Sequence, residues 1–180
     1  MPSAGGVFGA DRDHGAGTAE VARAYFAAVA AKDPDAMVAC WEPGGVDRLV
    51  GLAELRAPDE VRAWFATLFA AVPDFTFEVV ELVAEGDRAA VRWRSRGTFD
   101  GTAKFEGVAP TGAELEFEGI DMVEVRDGKI RSLHAYLNGM EMARQMGVMP
   151  KAGSLEDRAM LAAVNARTAA RDRLRRLRER

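Results

Sequence analysis

The sequence holds one cysteine, Cys40, and two histidines, His14 and His134, among 180 residues. A lone thiol excludes an intrachain disulfide and any multi-thiolate metal site, and it suits a reducing compartment. Two histidines, one of them in a Gly- and Ala-rich lead-in, exclude a multi-histidine centre, so no metal is expected. No run approaches 18 uninterrupted apolar residues, so no membrane-spanning helix is expected. The first residues lack the charged-then-apolar order of a secretory signal, and a cytoplasmic protein is expected. There are no internal repeats and no Gly-rich phosphate loop between strand and helix, which argues against a parallel nucleotide-binding sheet.

An excess of positive charge is missing too. The net charge of −4 argues against nucleic acid as the main partner of the whole chain. That charge is unevenly spread. Lys151–Arg180 carries nine basic and four acidic residues, a net of +5, whereas the first 150 residues carry 15 basic and 24 acidic, a net of −9. What remains is ordinary for a globular protein, with 48% hydrophobic and 29% charged residues, enough for one domain with a substantial core. The expected organisation is a disordered lead-in over residues 1–17, a folded domain over 18–150 and a basic helical tail over 151–180.

Periodicity sorts the domain into helices followed by strands. Thr18 is placed to cap a helix running to about Lys32, with Val21, Tyr25, Ala28 and Val29 at helical spacing. Asp33-Pro34 caps and opens a second short helix ending near Trp41. Glu42-Pro43-Gly44-Gly45 is expected as a turn and Asp47–Gly51 as a short strand. Pro58, Asp59 and Glu60 open a third helix whose Val61, Trp64, Phe65, Leu68 and Phe69 form one apolar stripe. From Phe75 the period becomes two. Phe77 and Val79, then Val91, Trp93 and Ser95, alternate with polar residues around a turn at Glu85-Gly86-Asp87. Residues 97–112 are loop-rich, with a short strand expected near Phe105. Asp127-Gly128 then joins two strands, about Leu115–Arg126 and Lys129–Asn138, in the strongest hairpin signal of the chain. Helices first and antiparallel strands after them give an α+β fold with helices packed on one sheet face.

Hairpin arithmetic selects candidate site residues. With Asp127 and Gly128 as the loop, Val125 faces Ile130 and Asp121 faces His134. One face then gathers Phe117, Asp121, Val123, Val125, Ile130, His134, Tyr136 and Asn138. A buried carboxylate opposite an imidazole fixes its tautomer and raises its proton affinity, which suits a general acid or base near neutral pH. Tyr136 and Asn138 add donors for a developing oxyanion. The competing reading is a satisfied polar pair in a core. Tyr25, Trp41, Trp93 and Phe117 are candidate pocket-lining aromatics, and Asp47 and Arg48 are further polar candidates whose facing the pattern leaves open. Arg92, Arg94 and Arg96 share one strand face, read as solvated ahead of an anion patch. Met140, Met142, Met146 and Met149 suit adaptable packing at a pocket rim.

Several short motifs carry a family resemblance: Ala71-Val72-Pro73-Asp74, Gly86-Asp87 before a Val-x-Trp strand, Pro110-Thr111-Gly112, Asp127-Gly128-Lys129-Ile130 and Gln145-Met146-Gly147. In their order and spacing, from Thr18 to Pro150, the chain resembles the SnoaL-like polyketide cyclases of the nuclear transport factor 2-like superfamily. The resemblance implies a cone, a curved antiparallel sheet wrapping three helices around a deep apolar pocket, with a homodimer formed through the outer sheet face. It also implies cofactor-free acid/base chemistry on a hydrophobic polyketide, terpenoid or steroid-like substrate: aldol-type cyclisation, isomerisation or dehydration. The last-strand aspartate that serves such cyclases as acid/base falls here on Asn138, so the proton-transfer role passes to the Asp121–His134 pair or is absent. An epoxide hydrolase relay is disfavoured, because its last-strand aspartate would fall near Ala135. The other class consistent with the chain is a non-catalytic ligand-binding or assembly module on the same cone. The tail from Ser154 reads as a solvated helix, with docking on the acidic body of a second copy as the sharper option.

Overall fold

The computed structural model describes residues 10–178, in the order α1 (Ala10–Ala30), α2 (Pro34–Ala39), β1 (Trp41–Leu49), β2 (Ala53–Arg56), α3 (Asp59–Ala71), β3 (Thr76–Glu85), β4 (Arg88–Phe99), β5 (Ala113–Arg126), β6 (Lys129–Leu137), α4 (Gly139–Gln145) and α5 (Leu155–Arg178). The fold is α+β, with one curved, unclosed sheet in the order β2-β1-β6-β5-β4-β3. All pairs are antiparallel except β1–β6, which runs parallel. The expected curved antiparallel sheet is thus present, with one parallel ladder where the first strand lies beside the last.

Apolar stripes decide what packs inward. Ala22, Tyr25, Phe26 and Val29 of α1 are buried against the concave face of the sheet, joined by Met37 and Val38 of α2 and Val61 of α3. Each fully buried large apolar side chain contributes about 1.5–3 kcal/mol, and the alternation along β4 (Ala89, Val91, Trp93 and Ser95 buried) supplies the facing surface. A second cluster, with Val72, Phe99, Phe105, Leu115 and Met146, closes the other end. The loop expected to hold a strand near Phe105 contains a single bridge, Phe105 to Val108.

Helix starts follow local chemistry in one case and not another. Asp33 caps α2, its side chain accepting from the Ala36 N–H at 3.0 Å, with Pro34 in the first turn. Thr18 is not a cap. α1 already runs from Ala10, and the buried Thr18 hydroxyl instead donates to the Gly86 carbonyl at 2.9 Å, tying α1 to the β3–β4 turn. Of the lead-in expected over residues 1–17, residues 1–9 lie outside the described residues, as do residues 179–180 of the tail and the side chain of His14.

The turn expected at residues 42–45 lies inside β1, at an irregularity between Trp41 and Val46. A Cβ on Gly45 would meet Trp41 Cε3 at 2.8 Å, so this Pro-Gly-Gly punctuation serves a bent strand lying close over an indole. The short β2 was not marked by any pattern in its four residues.

The β5–β6 hairpin decides the site. Its loop is as expected: Asp127 and Gly128 have φ of 50° and 74°, the pair of positive values of a type I′ turn. Arg126 pairs with Lys129 and Val125 with Ile130, but Glu124 pairs with Ser132. Arg131 is an extra residue, a β-bulge, and beyond it every pairing is displaced by one. Asp121 faces Ala135, and His134 faces Met122. Leu133 and Ala135 turn inward, and His134 and Tyr136 turn to the outer face.

Deleting Arg131 would close the bulge and leave Glu124 opposite Ser132, Val123 opposite Leu133 and Asp121 opposite Ala135, so Leu133 and Ala135 stay on the core face. Cooperative thermal unfolding by circular dichroism is the expected result for the deletion variant; its loss would show that the inward facing of Leu133 and Ala135 is not set by the one-residue offset at Arg131.

Candidate functional site

Between α1, α3 and the concave face of the sheet lies a cavity of about 110 Å³. Its walls are mostly apolar and aromatic, among them Phe26, Phe65, Phe75, Phe77, Trp93 and Phe117, and Met142 of α4 covers one side. Trp64, Phe65 and Leu68 of α3 are only half-buried because they line this space. Three ionisable side chains reach it from the interior, Tyr25 on α1, Asp47 on β1 and Asp121 on β5. A fourth, Arg96, stands at the rim with its side chain 65% exposed and bonded to Glu116 at 2.8 Å.

Strand alternation explains how the two carboxyls arrive. Asp47 and Leu49 share the inward face of β1, while Arg48 points outward to Glu54 at 2.6 Å. Parallel pairing sets Asp47 beside Leu133 of β6. Asp121 lies across β6 and pairs with Ala135 and Val91. The facing of Asp47 was readable from its place two residues before Leu49 on one strand face, once that strand's bounds were known. Its nearness to Asp121 was not.

The electrostatics of these groups follow from burial. Asp121 has one side-chain partner, the Trp93 indole, whose Nε1–H donates to Oδ1 at 2.8 Å. Burial pushes the Asp121 carboxyl up to about 7, and the Trp93 hydrogen bond opposes that rise by favouring the ionised form. Asp47 is 1% exposed and its Oδ1 has no hydrogen-bond partner among the described residues. Burial and then the neighbouring Asp121 hold its proton well above the usual carboxylate range. Burial, followed by the charges of Asp47 and Asp121, likewise keeps the Tyr25 phenol protonated. The Trp41 indole N–H approaches the Tyr25 hydroxyl without reaching hydrogen-bond geometry, and the two rings meet edge to face at 5.9 Å. The cavity thus offers one carboxyl near its titration midpoint at neutral pH, a second whose proton affinity is raised by burial and by its neighbour, and a phenol donor.

Trp93 is seated by its neighbours. It pairs across the ladder with Gly119, where a Cβ would lie 2.5 Å from Trp93 Cζ2, and Phe77 packs on it at 5.4 Å. The missing side chain at Gly119 lets the indole lie over the adjacent strand and reach Asp121.

The sequence-derived site divides accordingly. Tyr25, Trp93, Phe117 and Asp121 line the cavity. Trp41 is buried in the core behind Tyr25 and is not part of the lining. His134 and Tyr136 are corrected to the outer face, Tyr136 being 48% exposed, because the bulge reverses their side; the Asp121–His134 pair does not form. Asn138 lies past the end of β6, and its Oδ1 caps α4 by accepting from the Glu141 N–H at 3.1 Å. Arg92, Arg94 and Arg96 stand opposite Glu81, Glu118 and Glu116, a solvated charge ladder in place of an anion patch. Of the methionines, Met142 lines the cavity and Met146 is buried, while Met140 is exposed.

A sequence profile of the SnoaL-like domain matches residues 22–133, more than half of the chain. The chain belongs to the SnoaL-like family. Solved structures with the same fold include AclR from Streptomyces galilaeus, provisionally named a hydroxylase, at 24% identity and a TM-score of 0.65, covering 76% of this chain and 99% of that one. A provisionally assigned SnoaL-like polyketide cyclase from Jannaschia sp. CCS1 matches at 19% identity and a TM-score of 0.68, covering 76% and 96%. An LEH-like epoxide hydrolase from M. tuberculosis matches at 16% identity and a TM-score of 0.58, covering 74% and 91%. No curated protein matches the sequence. This SnoaL-like chain therefore shares its cone with proteins named for several different chemistries, and no helix in its described residues is long and apolar enough to cross a membrane.

Two outcomes follow from the burial of Asp121. A carboxyl raised to about 7 in the folded state lends stability that is complete below about pH 4, its unfolded value, and lost as pH climbs through 7. The SnoaL-like chain should thus lose on the order of 4 kcal/mol between pH 4 and 8 that Asp121→Asn does not lose, as read by urea melts of the two proteins across that range. Parallel pH curves for parent and variant would refute it. Trp93→Phe removes the donor that favours the ionised form, so the Asp121 carboxyl should titrate above its parent value when followed by carbon-13 NMR; an unmoved midpoint would show that the indole does not tune it.

Proposed function

We propose that this SnoaL-like protein is a cofactor-free acid/base enzyme acting on a hydrophobic, carbonyl-bearing small molecule of polyketide, terpenoid or steroid-like character, by isomerisation, aldol-type cyclisation or dehydration. The observation that carries the reading is Asp121: a carboxyl buried in an apolar cavity, raised to about 7, with a second carboxyl of raised proton affinity and a phenol facing the same space. Groups whose environments separate their proton affinities divide naturally into base and acid.

Asp121 is assigned as general base, taking a proton from the carbon next to the substrate carbonyl. Its affinity near 7 makes it a stronger base than an ordinary aspartate while leaving a useful ionised fraction at neutral pH. Asp47, whose proton affinity burial raises, and the Tyr25 hydroxyl are assigned as donors to the oxygen on which negative charge develops. The apolar walls strengthen both interactions by excluding water. Dehydration uses the same groups, with Asp47 protonating the departing hydroxyl. The roles first drawn for His134 and Asn138 have no counterpart here, because neither side chain reaches the cavity.

The outer sheet face carries exposed Ile120, Met122 and Tyr136 between the charge ladders, which supports a homodimer through that face. Met122→Glu should shift the mass measured by light scattering from dimer to monomer; an unchanged mass would reject that interface.

Proton abstraction is testable without the natural substrate. Apolar cyclic enones and diketones in deuterium oxide should exchange their activated C–H in the presence of the protein, followed by proton NMR. Asp121→Asn should slow exchange by about 10²–10⁴-fold, the usual contribution of a general base, and the rate should fall below neutral pH as Asp121 takes up its proton. Exchange that persists undiminished in Asp121→Asn would overturn the assignment.

A further inference from the structure

The cavity also has the composition of a cation site, and this inference stands without the acid/base reading. Two carboxyls face it, neither is ion-paired among the described residues, and Asp47 Oδ1 has no hydrogen-bond partner there. Arg96, the other charged lining residue, is engaged at the rim by Glu116. Aromatic rings run in succession along its wall: Tyr25 meets Phe26 at 5.1 Å, Phe26 stacks on Phe77 at 5.7 Å, and Phe77 packs on Trp93 at 5.4 Å. Trp93 in turn bonds Asp121.

A buried carboxylate without a counter-ion is unfavourable unless a ligand supplies the opposite charge. Aromatic walls favour a particular kind of cation. Alkyl groups on nitrogen contact ring faces while the positive charge interacts with the rings and the carboxylate together. A primary ammonium, with three N–H donors, loses the most hydration on entering such mostly apolar walls, whereas a tertiary ammonium has one N–H to desolvate and a quaternary none.

We propose that the cavity binds small tertiary or quaternary ammonium compounds, with the cationic head beside Asp121 and Asp47 and its alkyl groups against the wall of Tyr25, Phe26, Phe77 and Trp93. The same geometry makes binding depend on pH. The titratable groups facing Asp121 are Asp47 from β1 and Tyr25 from α1, whereas Trp93 of β4 and Leu133 and Ala135 of β6 carry no charge. A cation therefore binds more tightly as Asp121 loses its proton.

Calorimetric titration with choline and with its uncharged carbon isostere, 3,3-dimethylbutan-1-ol, separates charge from shape. At pH 8 choline should bind about tenfold or more tightly than the isostere. That preference should vanish at pH 5 and in Asp121→Asn at pH 8, while affinity for the isostere persists as the sign of an intact cavity. Choline binding no tighter than the isostere at pH 8, no choline binding at all, or a preference that survives both pH 5 and Asp121→Asn would each overturn the proposal. An Asp121 that catalyses C–H exchange in a protein with no choline preference would reject the cation site and leave the acid/base reading standing. A choline preference without exchange would do the reverse.

Discussion

A single extra residue in β6 governs how this cone presents its chemistry. Arg131 bulges out of the β5–β6 ladder, and from there on the strand is turned over relative to its turn. Leu133, Ala135 and Leu137 then complete the apolar lining opposite Asp121, while His134 and Tyr136 are carried to the outer surface. Because β1 pairs in parallel with β6, the same register also brings Asp47 beside Leu133 and so into the cavity. Had the ladder continued unbroken, Asp121 would have met an imidazole and the floor of the cavity would be polar. The bulge instead leaves two carboxyls in apolar surroundings without a cation, and their raised proton affinities are a direct consequence.

Such an arrangement works against stability, since each buried carboxyl resists ionisation as the pH approaches neutrality. A core selected only for stability would use an apolar residue at position 47 or 121. Support for the site is visible in its surroundings. Gly119 withholds a side chain where Trp93 needs to lie, Phe77 packs on the indole, and the indole N–H is aimed at Asp121. This is how a group is poised: its neighbours limit both where it sits and how readily it charges.

The periphery is built on different principles. α4 is joined to the sheet by Gln145, whose side chain both accepts from the Glu116 N–H and donates to the Glu116 carbonyl, and it holds Met142 over the cavity. α5 departs from Asp157, which is buried, accepts from the Gly153 N–H and lies 3.8 Å from Arg144 of α4. Beyond that anchor its side chains are exposed almost throughout, Leu161, Leu174 and Leu177 among them. The acidic body and basic tail visible in the charge count thus correspond to two structural regimes, a packed cone and a projecting helix.

Local patterns in the sequence determined most of the architecture. The 3.6-residue stripe of α3, the two-residue alternation of β4, the Asp33 cap and the Asp127-Gly128 turn each act over a few residues, and each is found as the pattern implies. Asp121, Tyr25, Trp93 and Phe117 were identifiable as inward residues because their own elements dictate their facing. Tertiary structure alone decided the rest. The true start of α1, the bend in β1, the short β2 and the bulge at Arg131 depend on contacts with distant segments, as the bond from Thr18 to Gly86 illustrates. The partnership of Asp47 with Asp121 spans 74 positions and three strands. No periodicity within either strand encodes it, because facing is a property of one strand and proximity is a property of the ladder that joins them.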